Sequence, residues 1–124
     1  MIDVMTAQAI RRVEKPWGYE LIWAVTDRYV GKVIHIARGH KLSLQYHRRK
    51  VETFLLYAGA MTLHFEDDEG AMREIVLHPG EAHHMAAGRK HRMIALEDCD
   101  VFEVSTPELD DVVRLEDSYG RAGT

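Results

Sequence analysis

The chain has 124 residues, of which 46% are apolar and 29% charged, and its 16 basic and 20 acidic residues leave a formal net charge of −4. This length fits one domain, and the composition excludes a disordered or collagen-like chain. The longest apolar run, residues 54–61, is far shorter than the ~20 residues that a membrane-spanning helix needs.

Short apolar runs separated by turn residues follow one another from Gly18 onward. They predict strands over residues 18–25, 30–37, 41–47, 52–58, 61–65, 72–77, 91–96 and 101–105. Strands at this regular spacing are typical of a β-sandwich or small barrel. Only residues 6–12 and the tail after Pro107 could hold helical turns. We therefore expect one all-β domain over residues 1–124, with a core of about residues 17–106 and short extensions at both ends.

Charge, cysteine content and the N-terminal sequence predict the setting of the protein. The acidic balance argues against a nucleic-acid partner. The N-terminus lacks the layout of a signal peptide, and the single cysteine, Cys99, cannot form an internal disulfide. We expect a cytoplasmic protein with neither a nucleic-acid nor a membrane partner.

Three candidate metal ligands lie on one predicted hairpin. Gln45 and His47 are two apart in a strand, so they share a face with Cα atoms about 7 Å apart. That polar face could instead turn to water. However, Glu52 opens the next strand and alternates with Phe54 and Leu56, which predicts an internal carboxylate that needs a partner such as a cation.

A fourth candidate ligand follows about forty residues later. The turn over residues 86–90 contains Gly88 and delivers His91 to the start of a strand. Taken alone, His91 could equally be a surface histidine. The adjacent pair His83 and His84 points to opposite faces of a strand, so at most one of them can face a given site.

Together these segments resemble the two motifs of the cupin superfamily. The first motif keeps every spacing, with Gln where the family usually has its first His; its positions are Gly39, Gln45, His47, Glu52 and Gly59. The second motif keeps Gly88 and His91, while Ala86 and Ala95 replace its Pro and Asn. The resemblance implies a double-stranded β-helix, the jelly-roll barrel of the cupins.

Within the cupins, the chain most resembles the type II phosphomannose isomerase domain. The likeness covers residues 15–20, 42–47 and 111–121 as well as the Gln-for-His change. Arg48, Arg49, Thr53 and Phe54 depart from the family pattern. The nucleotidyltransferase that often precedes this domain is missing, so a free-standing cupin is expected.

The resemblance also implies a site and a reaction. Gln45, His47, Glu52 and His91 would bind one divalent metal, with zinc favoured and manganese, iron, cobalt or nickel permitted. The expected reaction is aldose–ketose isomerisation of a sugar phosphate, mannose 6-phosphate to fructose 6-phosphate or a related sugar. The side chains expected to bind the phosphate are Lys41, Arg89 and Arg92, and those expected to act in catalysis are Arg92, Lys32 and His84.

Two other function classes stay open. One is a non-catalytic sugar- or metabolite-binding cupin, and the other is an Fe(II)-dependent dioxygenase, since one fold hosts many functions. Cupins of this size commonly dimerise through their barrel sheets, so we also expect a homodimer. The apolar face formed by Leu42, Leu44 and Tyr46 is the predicted outer surface for that contact.

Overall fold

The computed structural model describes residues 9–123, which form eleven strands and no helix. The strands, in chain order, are β1 (Arg11–Lys15), β2 (Gly18–Val25), β3 (Val30–Ile36), β4 (Leu44–Tyr46), β5 (Glu52–Ala58), β6 (Met61–Glu66), β7 (Met72–Leu77), β8 (Ala82–Met85), β9 (His91–Ala95), β10 (Cys99–Ser105) and β11 (Val113–Glu116). Among these residues, none belongs to a helix that is long and apolar enough to cross a membrane.

The strands form two antiparallel sheets that enclose one core. The six-stranded sheet has the order β1-β2-β3-β10-β5-β8, and the five-stranded sheet has the order β11-β4-β9-β6-β7. Strands distant in sequence are neighbours in both sheets, as in a jelly roll. The expected all-β fold is confirmed.

Alternation of side chains along the strands decides which face is internal. In β5, Glu52, Phe54 and Leu56 are buried, whereas the residues between them are less buried or exposed. Strands β9 and β10 follow the same period of two, as expected when one face of each sheet packs on the core. The polar ends of these internal faces, Glu52 and His91, therefore lie inside the barrel with the apolar core behind them.

Three strands were not predicted from the sequence. Strand β11 lies in the tail that was expected to allow helical turns, and β1 overlaps the N-terminal segment for which the same was expected; residues 1–8 lie outside the described part. Strand β8 falls in a segment for which no strand was predicted. Strands β1, β8 and β11 are all edge strands, and β1 and β11 lie outside the predicted core of residues 17–106.

The predicted strand over residues 41–47 is also shorter in the structure. Only Leu44–Tyr46 forms β4, while Lys41 makes an isolated bridge to Ile94. Leu42 packs against the hydrophobic core, so it does not belong to the outer apolar face that was predicted from Leu42, Leu44 and Tyr46.

Candidate metal centre

Three of the predicted ligands come together at one end of the barrel. His47 follows β4, Glu52 opens β5 and His91 opens β9. Each is nearly inaccessible to solvent, with exposures of 4%, 3% and 3% respectively. The two sheets thus bring together residues that are up to 44 positions apart in the chain.

The Glu52 carboxylate lies between the two imidazoles. Its Oε1 atom is 3.3 Å from His47 Nε2 and 3.0 Å from His91 Nε2. One potential ligand atom from each residue lies within 4.8 Å of the others, and the two rings are 5.2 Å apart at 49°. Three donor atoms at these separations can turn toward a single ion.

The other ring nitrogens are fixed by backbone carbonyls. His47 Nδ1 is 2.5 Å from the carbonyl oxygen of Asp111, and His91 Nδ1 is 3.0 Å from that of Arg89. A carbonyl can only accept, so each Nδ1 carries the proton and donates it. In the neutral imidazoles, both Nε2 lone pairs therefore face the Glu52 carboxylate.

This arrangement leaves a place for a cation. His47 Nε2 is buried without a hydrogen-bond partner, and lone pairs that face a buried carboxylate repel it unless a proton or a metal lies between them. Histidines whose Nδ1 donates to a carbonyl are typical metal ligands. The residues of this site thus fit a divalent metal.

Gln45 lies beside these three residues. It is directly opposite His91 in the β4–β9 pair, so the two side chains share the internal face. Its carboxamide oxygen accepts a hydrogen bond of 2.6 Å from the hydroxyl of the buried Ser43. Because an amide oxygen has two lone pairs, the second one stays available for a metal.

Behind the candidate ligands lies a chain of buried charges, of which sequence reasoning named Lys32 and missed Glu20, Lys50 and Glu103. Lys50 Nζ is 3.2 Å from Glu52 Oε2 and 3.5 Å from Glu103 Oε2, and Lys32 Nζ is 3.3 Å from Glu20 and 3.6 Å from Glu103. Neither Lys50, which lies in a loop, nor Glu103, which has apolar neighbours on both sides in β10, belongs to a motif with a recognisable spacing. The available signal was an acid at Glu103 on the same face of β10 as the apolar residues Cys99 and Val101.

Burial and neighbouring charges separate the acidities of the two central carboxylates. Burial, with the nearby charge of Glu52, raises the pKa of Glu103 to about 8 against the opposing effect of Lys32 and Lys50. For Glu52, burial acts upward as well, but His47 and His91, when a proton on Nε2 takes the place of a metal, and the charge of Lys50 bring its pKa well below the ordinary value. Glu52 is accordingly the ionised carboxylate of the pair.

The remaining predicted site residues lie in different places. Lys32 is buried in the charge chain, and Arg92 lines the cavity that also contains Glu52 and His91. The Arg92 guanidinium donates to the carbonyl oxygens of Leu42 and Glu116, at 3.0 and 3.1 Å.

Lys41, Arg89 and His84 lie farther from the ligands. Lys41 forms an isolated β-bridge with Ile94. The Arg89 guanidinium donates to the carbonyl oxygen of Asp67 and pairs with the carboxylate of Asp68. His84 is exposed and contacts Thr53 at 3.0 Å; as the neighbour of Thr53 in register, it lies on the outer face, opposite to Glu52.

Comparison with known protein families identifies the family of this chain. The family described as mannose-6-phosphate isomerase, C-terminal, matches residues 3–117. The chain belongs to this family. It is a cupin, as the sequence motifs implied.

The curated relatives are larger enzymes of sugar metabolism. The mannose-1-phosphate guanylyltransferase of Escherichia coli K12 is 36% identical over 117 residues, which cover 90% of this chain and 23% of the relative. The xanthan biosynthesis protein XanB of Xanthomonas campestris pv. campestris (strain B100) is 31% identical, with 90% and 24% covered. The chain thus spans about a quarter of the length of these relatives.

Solved structures share the barrel. KdgF from Halomonas sp. superimposes with a TM-score of 0.68 at 26% identity, covering 83% of this chain and 89% of that one. The capsular polysaccharide assembling protein CapF of Staphylococcus aureus gives 0.71 at 20% identity over 88% of this chain and 33% of that one, and it supports the fold alone. The chain is therefore a cupin related to enzymes of sugar metabolism.

Proposed function

We propose that this protein is a metal-dependent sugar-phosphate isomerase that interconverts mannose 6-phosphate and fructose 6-phosphate or a related pair. The convergence of His47, Glu52 and His91 beside Gln45 carries the proposal. Membership of a family described by this isomerase supports the choice of reaction, since the barrel alone is shared by many functions.

The proposed cofactor is one divalent ion held by Gln45, His47, Glu52 and His91. Two imidazole nitrogens, a carboxylate and a carboxamide oxygen favour zinc, and they also permit manganese, iron, cobalt or nickel. When bound, such an ion supplies Lewis-acid polarisation of the sugar carbonyl. The protein's own part is to hold the ligands rigidly and to exclude water from their buried faces.

The proton transfer between adjacent carbons is assigned to the charged residues beside the ligands. Lys32 is a proposed proton donor in this transfer, because it lines the cavity that contains Glu52 and His91 and its ammonium group is held between Glu20 and Glu103; it could act as the base only after giving up that proton. Glu103 lies 3.6 Å from its Nζ atom, and with a pKa of about 8 it can hold or release a proton near neutral pH. Arg92 remains a proposed catalytic residue at the wall of the same cavity, whereas His84 would have to act from the outer face.

The test combines metal analysis with turnover of mannose 6-phosphate. The wild-type protein, loaded with each candidate metal, should contain one ion per chain and form fructose 6-phosphate. His47→Ala should lose the ion and about a hundredfold or more of the activity, because even the outer partners of metal ligands are typically worth 10–100-fold. The matched control is His64→Ala, which removes a half-exposed histidine that lies 3.3 Å from Glu74.

The outcomes separate the alternative functions. Binding of metal and sugar phosphate without turnover would identify a binding module, and oxygen uptake by the Fe(II)-loaded protein would identify a dioxygenase. Full metal content in His47→Ala would contradict the ligand assignment itself. The homodimer and the cytoplasmic location remain predictions.

A further inference from the structure

A basic cleft opens beside the metal ligands. Lys15, Arg114 and Arg121 line it together with Gln45 and His47. Its one acidic lining residue, Glu20, lies 3.3 Å from Lys32. Within residues 9–123, the cleft therefore has more positive than negative side chains.

Arg114 lies in one row with two of the proposed ligands. It is directly opposite Gln45 in the β11–β4 pair, and Gln45 is opposite His91 in the β4–β9 pair. Residues in such a row point to the same face, and neighbouring strands are about 4.8 Å apart, so the Cα atoms of Arg114 and His91 are about 10 Å apart. The distance between Arg114 and the candidate metal site is thus about the length of a small ligand.

The Arg114 side chain lacks a protein partner for part of its guanidinium. Its Nε atom is buried and unbonded, and within residues 9–123 Arg114 has no acidic group at ion-pair distance. A buried donor without an acceptor is costly, and guanidinium groups match the oxygens of a phosphate with two parallel hydrogen bonds. An anion in the cleft would satisfy this donor.

Lys15 experiences the same excess of positive charge. Partial burial lowers its pKa, and the charges of Lys32, Arg114 and Arg121 add to this effect against Glu20. In the part of the chain that the structure describes, Lys15 also lacks an ion-pair partner. Like charges held together in this way repel each other until a counter-charge joins them.

Among the described residues, Arg121, unlike Lys15 and Arg114, has an acidic partner. Asp117 fixes it with hydrogen bonds to Nε and Nη2 of 3.0 and 2.9 Å, and the Asp117 side chain is itself fully buried. Its charge is therefore partly neutralised, and its position is set before any ligand arrives.

We propose that Lys15 and Arg114, with Arg121 at the rim, form an anion subsite for the phosphate of a phosphorylated sugar whose other end lies at Gln45, His47 and His91. The sugar half of this statement rests on the proposed function, whereas the anion subsite does not. Arg92 and Arg89 were expected to bind the phosphate, but their guanidinium groups already donate to protein oxygens. The phosphate would meet free donors at Arg114 and Lys15.

Calorimetric titration of the metal-loaded protein tests the subsite. The probes are inorganic phosphate, mannose 6-phosphate and unphosphorylated mannose. Arg114→Gln and Lys15→Gln should each raise the Kd for both phosphate-bearing probes at least tenfold, which is about 1.4 kcal/mol, and leave the Kd for mannose unchanged. Arg73→Gln, which removes an exposed arginine 3.2 Å from Asp67, should change none of the three.

Three results would contradict the subsite. The first is an unchanged Kd for mannose 6-phosphate in the folded variants Arg114→Gln and Lys15→Gln. The second is a wild-type protein that binds neither phosphate-bearing probe, and the third is a loss of phosphate binding in Arg92→Gln alone. Arg114→Lys keeps the charge and should recover part of the affinity, which separates recognition from simple loss of stability. Unfolding temperatures of all variants identify any that are not folded, and Lys15→Gln then decides alone.

The subsite and the proposed function can fail separately. Charge-dependent phosphate binding without isomerase turnover would support the subsite and contradict the isomerase. Turnover of mannose 6-phosphate with an unchanged KM in both cleft variants would support the isomerase and contradict the subsite.

Discussion

Asp111 supports the candidate site in two ways. Its carbonyl oxygen accepts the Nδ1 proton of His47, and its carboxylate accepts the backbone N–H groups of Arg48, Arg49 and Lys50 at 3.0, 2.7 and 2.9 Å. These backbone hydrogen bonds, those of Arg49 and Lys50 first, lower its pKa to about 2. A single residue thus fixes both the ring of His47 and the turn that leads to Glu52.

We expect Asp111→Asn to destabilise the protein at neutral pH while leaving its metal content unchanged. The folded pKa of about 2 is below the value of about 3.9 in an unfolded chain, so the ionised group stabilises the fold above the unfolded pKa. That stabilisation is lost as the pH falls through the folded pKa. The free-energy difference between wild type and variant should therefore shrink as the pH falls from about 5 to about 2.

Urea unfolding at several pH values measures this difference. The control is Asp110→Asn, since the Asp110 backbone carbonyl makes a hydrogen bond to Val112 that this substitution preserves. A constant difference between Asp111→Asn and wild type across this pH range would contradict the role of the ionised carboxylate.

The proposed ligands could be found from the sequence, whereas Lys50 and Glu103 behind them could not. His47, Glu52 and His91 follow a fixed spacing on strands whose alternation can be read from apolar neighbours. The roles of Lys50 and Glu103 come from a contact between the loop that precedes β5 and strand β10. A spacing rule carries no information on such a pairing, because the separation between the partners is set by loops of arbitrary length.

At the scale of elements, three of the four edge strands and the shortened interior strand β4 account for the main differences between prediction and structure. The interior strands β3, β5, β6, β9 and β10 were predicted to within two residues at each end, since each has residues buried against the core, and β5, β9 and β10 show a clear period of two. The edge strands β1, β8 and β11 are short and partly exposed. Their extended shape comes from pairing with a distant neighbour, so local sequence predicts it poorly.

The turn between β5 and β6 gives a test of one motif glycine. Gly59 has a φ of +94°, and a Cβ atom there would lie 2.2 Å from the carbonyl oxygen of Asp98. Gly59→Ala should lower the free energy of unfolding by at least about 2 kcal/mol, because left-handed backbone strain and a backbone clash act together. Chemical denaturation measures the change.

Gly70 offers the matched control for that substitution. Its φ of +82° is similar, but a Cβ atom there would meet nothing within 4 Å. Gly70→Ala should therefore cost only about 1 kcal/mol of left-handed strain. Equal losses in the two variants would mean that the Asp98 carbonyl moves aside without cost.

At the scale of the whole molecule, the outer face of the six-stranded sheet is unusually apolar. Trp23, Val25, Tyr57, Phe102 and Val104 are between 39% and 62% exposed, and the rings of Tyr57 and Phe102 stack at 4.8 Å. Exposed apolar patches of this kind mark contact surfaces. This face is therefore a better candidate for the contact surface of the predicted homodimer than the face predicted from Leu42, Leu44 and Tyr46.

We expect the wild-type protein to sediment as a dimer and Phe102→Glu to raise the dimer dissociation constant at least tenfold. A buried charge without a partner opposes association. Val76→Glu is the control, since Val76 is 47% exposed on the edge strand of the other sheet. A monomeric wild type, or equal weakening by both substitutions, would contradict a dimer through this face.

The two tryptophans occupy opposite environments. Trp17 is 3% exposed and lines the basic cleft, whereas Trp23 is 53% exposed on the outer face. Indole emission follows the polarity around the ring, so each fluorophore reports on its own surface. Replacing Trp23 by Phe leaves Trp17 as the sole tryptophan, so selective excitation of the indole makes occupancy of the cleft visible in an unlabelled sample.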